Sequence, residues 1–174
     1  MQKHLAQLLL LSSLSLSSFA QNTRVLRDSG LKKLSAFLGT WHAQGSGAAD
    51  KNISANYTCQ WSVNGKFLVA DQLVNNNGTI TNNLSIYSYN PATDDYTLSL
   101  IGIPGMQPFT IPVAYSRDTL IYHSENTENG KKTYNRTLNI FFSTSHYKYV
   151  VQSSADGLNW TTNGEGEAQK TKTL

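Results

Sequence analysis

The stretch SAFLGTWHAQGSG, Ser35 to Gly47, decides how this chain is read. A short apolar run ends at Gly39. Two residues later Trp41 opens a stretch of small residues. Upstream, Leu31, Leu34 and Leu38 fall at the i, i+3, i+7 spacing of a helix. Asp28 or Ser29 would cap that helix and Gly39 would stop it. Downstream the apolar period is two. The change of period at Gly39 marks a short helix that runs into the first strand of an all-β domain.

Working outward, the period of two recurs. Strands are expected at 40–47, 56–63, 67–74, 80–89, 96–103, 109–115, 120–124, 132–142, 147–152 and 158–168. Between them lie turn residues: Asn64-Gly65, Asn75 to Gly78, Asn90-Pro91-Ala92-Thr93-Asp94 and Asp156-Gly157. Consecutive hairpins at this spacing form a meander. A long meander leaves two free edges unless it closes on itself. We therefore expect a closed antiparallel up-and-down β-barrel of about eight to ten strands, preceded by a short helix. A β-sandwich is the alternative. A barrel of this size is filled by its own side chains or holds one small ligand.

The N-terminus has a different character. Lys3 and His4 are followed by a leucine-rich run, Leu5 to Leu16, and then Ser18-Phe19-Ala20. Residues 1–20 read as a secretory signal peptide cut after Ala20, with 21–174 as a single mature domain. The competing reading is a helix retained in the mature protein. The apolar run is too short for a membrane span of roughly 20 residues. The whole chain carries 14 Lys and Arg against 11 Asp and Glu, and its 174 residues suit one domain. So small an excess of scattered basic residues argues against a nucleic-acid partner. The single cysteine, Cys59, allows no internal disulfide and lies far from residue 21, where a lipid anchor would attach. Its place in the alternation Tyr57, Cys59, Trp61 reads as a buried thiol.

A helix followed by Gly39-Thr40-Trp41 resembles the opening of the lipocalins and the wider calycin group, in which the tryptophan plugs the closed end of the barrel. The stretches LKKLSAFLGTWHAQGSG, VNGKFLVADQ, YSYNPATDDYTLSL and SADGLNWTTNGEGE together look like a bacterial calycin-like family of unknown function, many members of which are exported. This resemblance spans 31–167. It implies the barrel, with Gly39 and Trp41 closing it, and transfers no catalytic residue. The FLGTW opening is also similar to that of the haem-binding nitrobindins, whose iron is held by a histidine near the C-terminus. Here no histidine follows His146, so no haem or other cofactor is expected.

Few residues suggest chemistry. His42, His123 and His146 are too far apart to form a metal motif, and no metal is expected. Asp94 and Asp95 lie in a turn. Glu165 and Glu167 share one face of the last strand and read as solvated. No catalytic residue is assigned. Asp71 and Arg136 each fall within an apolar alternation: Phe67, Val69, Asp71, Leu73, and Tyr134, Arg136, Leu138, Ile140, Phe142. Inside a barrel such charges need partners, because desolvation costs several kcal/mol per ion. Either they pair with each other, or Arg136 with Tyr134 holds a ligand carboxylate, or both faces point outward. The loop 101–109 presents Met106 and Phe109 between prolines, as a portal at the mouth or as a cover over the barrel's end. SSADGLNW resembles the Asp-box hairpin, a structural turn in which the aspartate caps backbone N–H groups. The expected function is a secreted or periplasmic barrel that binds a small, partly hydrophobic molecule. The alternatives are a packed barrel acting through its surface, and a barrel enzyme of isomerase or hydrolase type. The state of the interior discriminates among them.

Overall fold

The computed structural model describes residues 30–47 and 52–172. The expected leader and the cap candidates Asp28 and Ser29 lie outside them. Ten strands follow a short 3₁₀ helix, Leu31–Phe37. They are β1 (Gly39–Ser46), β2 (Asn52–Trp61), β3 (Leu68–Asn76), β4 (Thr79–Asn90), β5 (Asp95–Ile101), β6 (Phe109–Ser116), β7 (Thr119–Glu128), β8 (Lys131–Ser143), β9 (His146–Ser154) and β10 (Thr161–Lys172). Each pairs antiparallel with its sequence neighbours, and β1 pairs with β10, so the sheet closes into a barrel.

The helix differs from its expected period. Its buried residues are Leu31, Leu34 and Phe37, spaced by three. That is the repeat of a 3₁₀ turn, in which i and i+3 eclipse. Phe37 therefore turns inward in place of Leu38, which is only half-buried. The helix lies across one end of the barrel. There Tyr96 Oη donates to the Gly30 carbonyl at 2.5 Å. Gly39 ends the helical segment with φ 120°, and a Cβ there would stand 2.5 Å from the Lys172 carbonyl oxygen. Only glycine lets β1 leave the helix against the end of β10.

Turn chemistry explains the hairpins. At Asn77-Gly78 and Asn129-Gly130 both residues have positive φ, and each pair joins two strands directly. These are two-residue turns whose twist matches the flanking strands. Asn64-Gly65, expected to form such a turn, lies instead within a longer loop, 62–67. Ser62 N–H donates to the Phe67 carbonyl at 2.9 Å and Gly65 N–H to the Ser62 carbonyl at 2.8 Å. The Asn64 side chain accepts from Ser62 and Lys66 within the loop. That local bonding competes with the tighter turn.

The seam between first and last strands is built from small residues. Gly45 stands opposite Gly166. A Cβ on Gly166 would lie 2.3 Å from the Gln44 carbonyl oxygen and 2.5 Å from Tyr149 Oη. The missing side chains let the two backbones approach and give the tyrosine its place. On the outer face, hydroxyl pairs bridge neighbouring strands: Ser88 with Thr97 at 2.6 Å and Ser99 with Thr110 at 2.8 Å. Glu165 and Glu167 also face outward, with Lys148 at 2.8 Å and His146 at 3.1 Å. Exposed pairs of this kind contribute little stability.

The SSADGLNW hairpin is organised by Asp156. Its carboxylate accepts from the backbone N–H of Leu158 and Asn159, both at 2.8 Å, from Asn159 Nδ2 at 2.7 Å and from Ser154 Oγ at 2.8 Å. The Asn159 and Leu158 donors favour the ionised form and hold this carboxyl far below the usual aspartate range. Because the folded pKa is depressed, the contribution to stability is complete above the unfolded value of about 3.9 and shrinks as pH falls below it. Amide exchange measured by NMR should show Leu158 and Asn159 protected at pH 6. Their protection should weaken below about pH 4, and Asp156→Ala should abolish it at both pH values. Equal protection in the variant would show that the hairpin holds without the carboxylate.

Candidate ligand-binding site

The barrel has a closed end and an open end. At the closed end the helix and the start of β1 form a floor. Trp41, Leu34, Leu68 and Leu120 are essentially inaccessible to solvent there. Trp41 Nε1 donates to the Phe37 carbonyl at 2.7 Å. Its ring stacks on Tyr57 at 6.2 Å and tilts against Tyr147 at 5.3 Å. The connections after β3, β5, β7 and β9 lie at the opposite end.

Above this floor the inward positions change character. Ala43, Ala55, Ala70 and Ser85 are too small to meet across the barrel. A cavity of about 280 Å³ remains. Gln72, Leu100, Ile111 and Thr137 line it and are only half-buried, so the cavity reaches solvent at the open end. Its volume lies just under the ~300–1,000 Å³ of pockets for drug-sized ligands. The barrel is therefore not filled by its own side chains.

The walls carry hydrogen-bonding groups without formal charge. Tyr57 and Tyr147 share a short hydroxyl–hydroxyl contact. Tyr87 and Tyr122 hydroxyls lie 3.1 Å apart, and Asn139 Nδ2 donates to Tyr122 Oη at 3.0 Å. Gln72 Nε2 donates to Ser85 Oγ at 3.0 Å. Burial drives all four tyrosine hydroxyls above their ordinary pKa, so they stay neutral. None of the lining side chains is His, Asp, Glu, Lys or Arg. Such an interior offers hydrogen bonds and aromatic faces. A bound ion would find no partner of opposite charge, and burying one unpaired is costly.

Cys59 lines the same cavity and is buried. Desolvation pushes its thiol up to about 12. The thiolate is the reactive form. Folded protein at pH 8 should therefore resist iodoacetamide, and urea-unfolded protein should label fully within the same time. Rapid labelling of the folded form would show that the thiol is reachable and ionised.

The candidates drawn from the sequence are distributed as follows. Trp41 and Gly39 form part of the closed end. Met106 is 53% exposed on the loop at the open rim, and Phe109 is half-buried at the start of β6. This loop lies at the open end, and none of residues 101–109 lines the interior cavity. Asp71 and Arg136 do not enter the interior, and no ion pair joins them. Asp71 is exposed on the outer face of β3, because Leu68, Ala70 and Gln72 point inward. Arg136 lies on the outer face of β8, with its guanidinium 3.9 Å above the Trp160 ring and Nε donating to Gln152 at 2.7 Å. Tyr134 shares that outer face, with Lys132 Nζ 4.7 Å from its ring centre. The residues of β8 that line the cavity are Thr137 and Asn139. Gln72 of β3 and Ser85 of β4 line the same cavity. Sequence reading missed this polar set. Thr137, Asn139 and Ser85 each lie in the phase with fewer aliphatic side chains, and Gln72 alternates with the Phe67, Val69, Leu73 phase that reads as apolar.

His42, His123 and His146 stand apart. His42 Nδ1 lies 2.8 Å from Asn56 Oδ1 on the outer face. Among the described residues no group of three His, Cys, Asp or Glu could hold a metal ion. No described helix is long and apolar enough to cross a membrane.

The fold defines a closed ten-strand antiparallel barrel with one open mouth. No family model matches the chain, and no curated protein matches it. Solved structures do. The crystal structure of Rv2717c from M. tuberculosis aligns with a TM-score of 0.54 and 15% identity, over 82% of this chain and 98% of that one. EF1p2_mFAP2b bound to DFHBI aligns at 0.43 and 11%, over 82% and 100%. A de novo designed fluorescence-activating β-barrel aligns at 0.42 and 11%, over 78% and 94%. At these identities the likeness to the mycobacterial protein concerns the fold alone.

Proposed function

We propose that this protein is an exported calycin-like carrier that binds a small, neutral, partly apolar molecule in its barrel. The observation that carries the reading is the open interior: a cavity of about 280 Å³ walled by tyrosine, asparagine, glutamine and leucine without a formal charge. Its ligand would present a planar or apolar body to Leu98, Leu100 and Ile111, and one or two polar atoms to Asn139 and the tyrosine hydroxyls. Export is supported by the leader-like residues 1–20 and by the resemblance to exported bacterial calycin-like proteins.

The test is native mass spectrometry of residues 21–174 purified gently from a bacterial periplasm, compared with the denatured mass. A non-covalent adduct of a few hundred daltons is expected, released on denaturation. A bare native mass, unchanged after incubation with cell extract, would overturn the carrier reading and direct attention to the outer surface.

A further inference from the structure

The barrel wall is not continuous. β6 begins at Phe109 and β7 runs on to Glu128, yet their pairing comprises only four pairs, Val113 with Tyr122 through Ser116 with Thr119. Beyond Val113 the next residue of β6 is Pro112, which has no N–H to donate to a ladder. From there to the rim, the Phe109–Pro112 segment of β6 and residues 123–126 of β7 run without pairing to each other. Each keeps its partner on the other side. Phe109 pairs with Leu100 of β5, and His123 to Asn126 pair with β8.

The gap is a cleft of about 790 Å³. One wall is largely apolar: Met106, Pro108, Phe109, Ile111 and Pro112. The other is polar, from His123 to Asn126. Ile111 lines both this cleft and the interior cavity, so the two spaces adjoin at one side chain. Met106, on the cleft's lip, is a large apolar residue held in solvent.

We infer that this cleft is a lateral subsite that takes the unbranched apolar tail of a ligand whose neutral polar head occupies the interior. The inference rests on the carrier reading and specifies its ligand class: an uncharged amphiphile with a small hydrogen-bonding head and an extended hydrocarbon chain. A tail lying along the Met106–Phe109 wall is covered on one side and open on the other. Each methylene should then raise affinity about twofold, against roughly fourfold for a fully buried chain. Branching near the head would be rejected, because the tail must pass Ile111.

The test uses N-alkyl benzamides from N-methyl to N-octyl, titrated calorimetrically into the protein. The readout is the slope of affinity with chain length, which does not depend on how tightly the head binds. A slope near twofold per methylene is expected, flattened in Met106→Asp and in Phe109→Ala. Met106 is exposed, so its substitution leaves packing intact. If N-methyl benzamide binds but longer chains gain nothing, the lateral subsite is overturned and interior binding stands. If affinity rises with length equally in both variants, the tail lies elsewhere and the subsite is again overturned. If no member binds, interior binding of this class fails, and the inference falls with it.

Discussion

Replacement of Trp41 by alanine is expected to destabilise the fold by about 3–5 kcal/mol, the range for removing a large aromatic side chain from a packed core. The residue is inaccessible to solvent, and it ties three parts of the closed end together. Its indole N–H satisfies the last carbonyl of the helix, at Phe37. Its ring faces meet Tyr57 of β2 and Tyr147 of β9, and Lys170 Nζ of β10 lies 4.8 Å from its ring centre. Alanine would leave a void too deep to refill from outside, and a buried carbonyl without its donor. Trp41→Phe keeps an aromatic ring but loses the N–H and part of the indole volume, so its cost should be smaller than that of alanine, about 1–3 kcal/mol. Urea unfolding followed by far-UV circular dichroism measures both. A loss below 1 kcal/mol in Trp41→Ala would show that the helix, and not the tryptophan, closes the barrel.

Ala55→Phe should separate binding from stability. Ala55 is a half-buried cavity-lining residue near the open end of β2, paired with Ala43 and Val74. A ring placed there would fill space that is now empty. Binding of an interior ligand should weaken at least about a hundredfold, or roughly 2.7 kcal/mol. Stability should stay level or rise by about 1 kcal/mol, because apolar surface enters a void. Calorimetric titration with the ligand released from native protein, beside a urea curve, checks both halves. Full affinity in a folded variant would place the ligand outside the cavity.

The number of strands and their order could be read from the alternation of apolar residues and the spacing of Asn, Gly and Asp. Which face points inward could not always be read. Along 67–74 the phase that reads as apolar from the sequence is Phe67, Val69 and Leu73, yet Leu73 is 53% exposed while Ala70 is buried. On β8 the apolar phase holds Leu138, Ile140 and Phe142, yet Asn139 is the buried residue. A shift of one residue exchanges the two faces of a strand. The rule that the apolar face is the buried one assumes a core without polar groups. This barrel reverses it locally, because its interior is a walled space with polar atoms on the wall. That is why Asp71 and Arg136 looked inward in the sequence and face outward in the fold. The cavity itself depends on small residues, Ala43, Ala55, Ala70 and Ser85, falling together on four neighbouring strands. No local pattern carries that coincidence. The Asp156 hairpin, by contrast, was legible, because its donors and its acceptor lie within four residues of one another.

The seam between Gly45 and Gly166 also bears on how the chain reaches this state. Every other pairing joins strands adjacent in sequence and can form as soon as both have emerged. The seam joins the two ends of the domain. Until β10 arrives, β1 presents a free strand edge, the kind of surface on which chains stick to one another. A contact of such long sequence separation forms late, because the entropy of closing so large a loop is lost before any bond is gained. A chain whose β10 has not yet docked therefore holds an open, curled sheet, and only that strand turns it into a vessel.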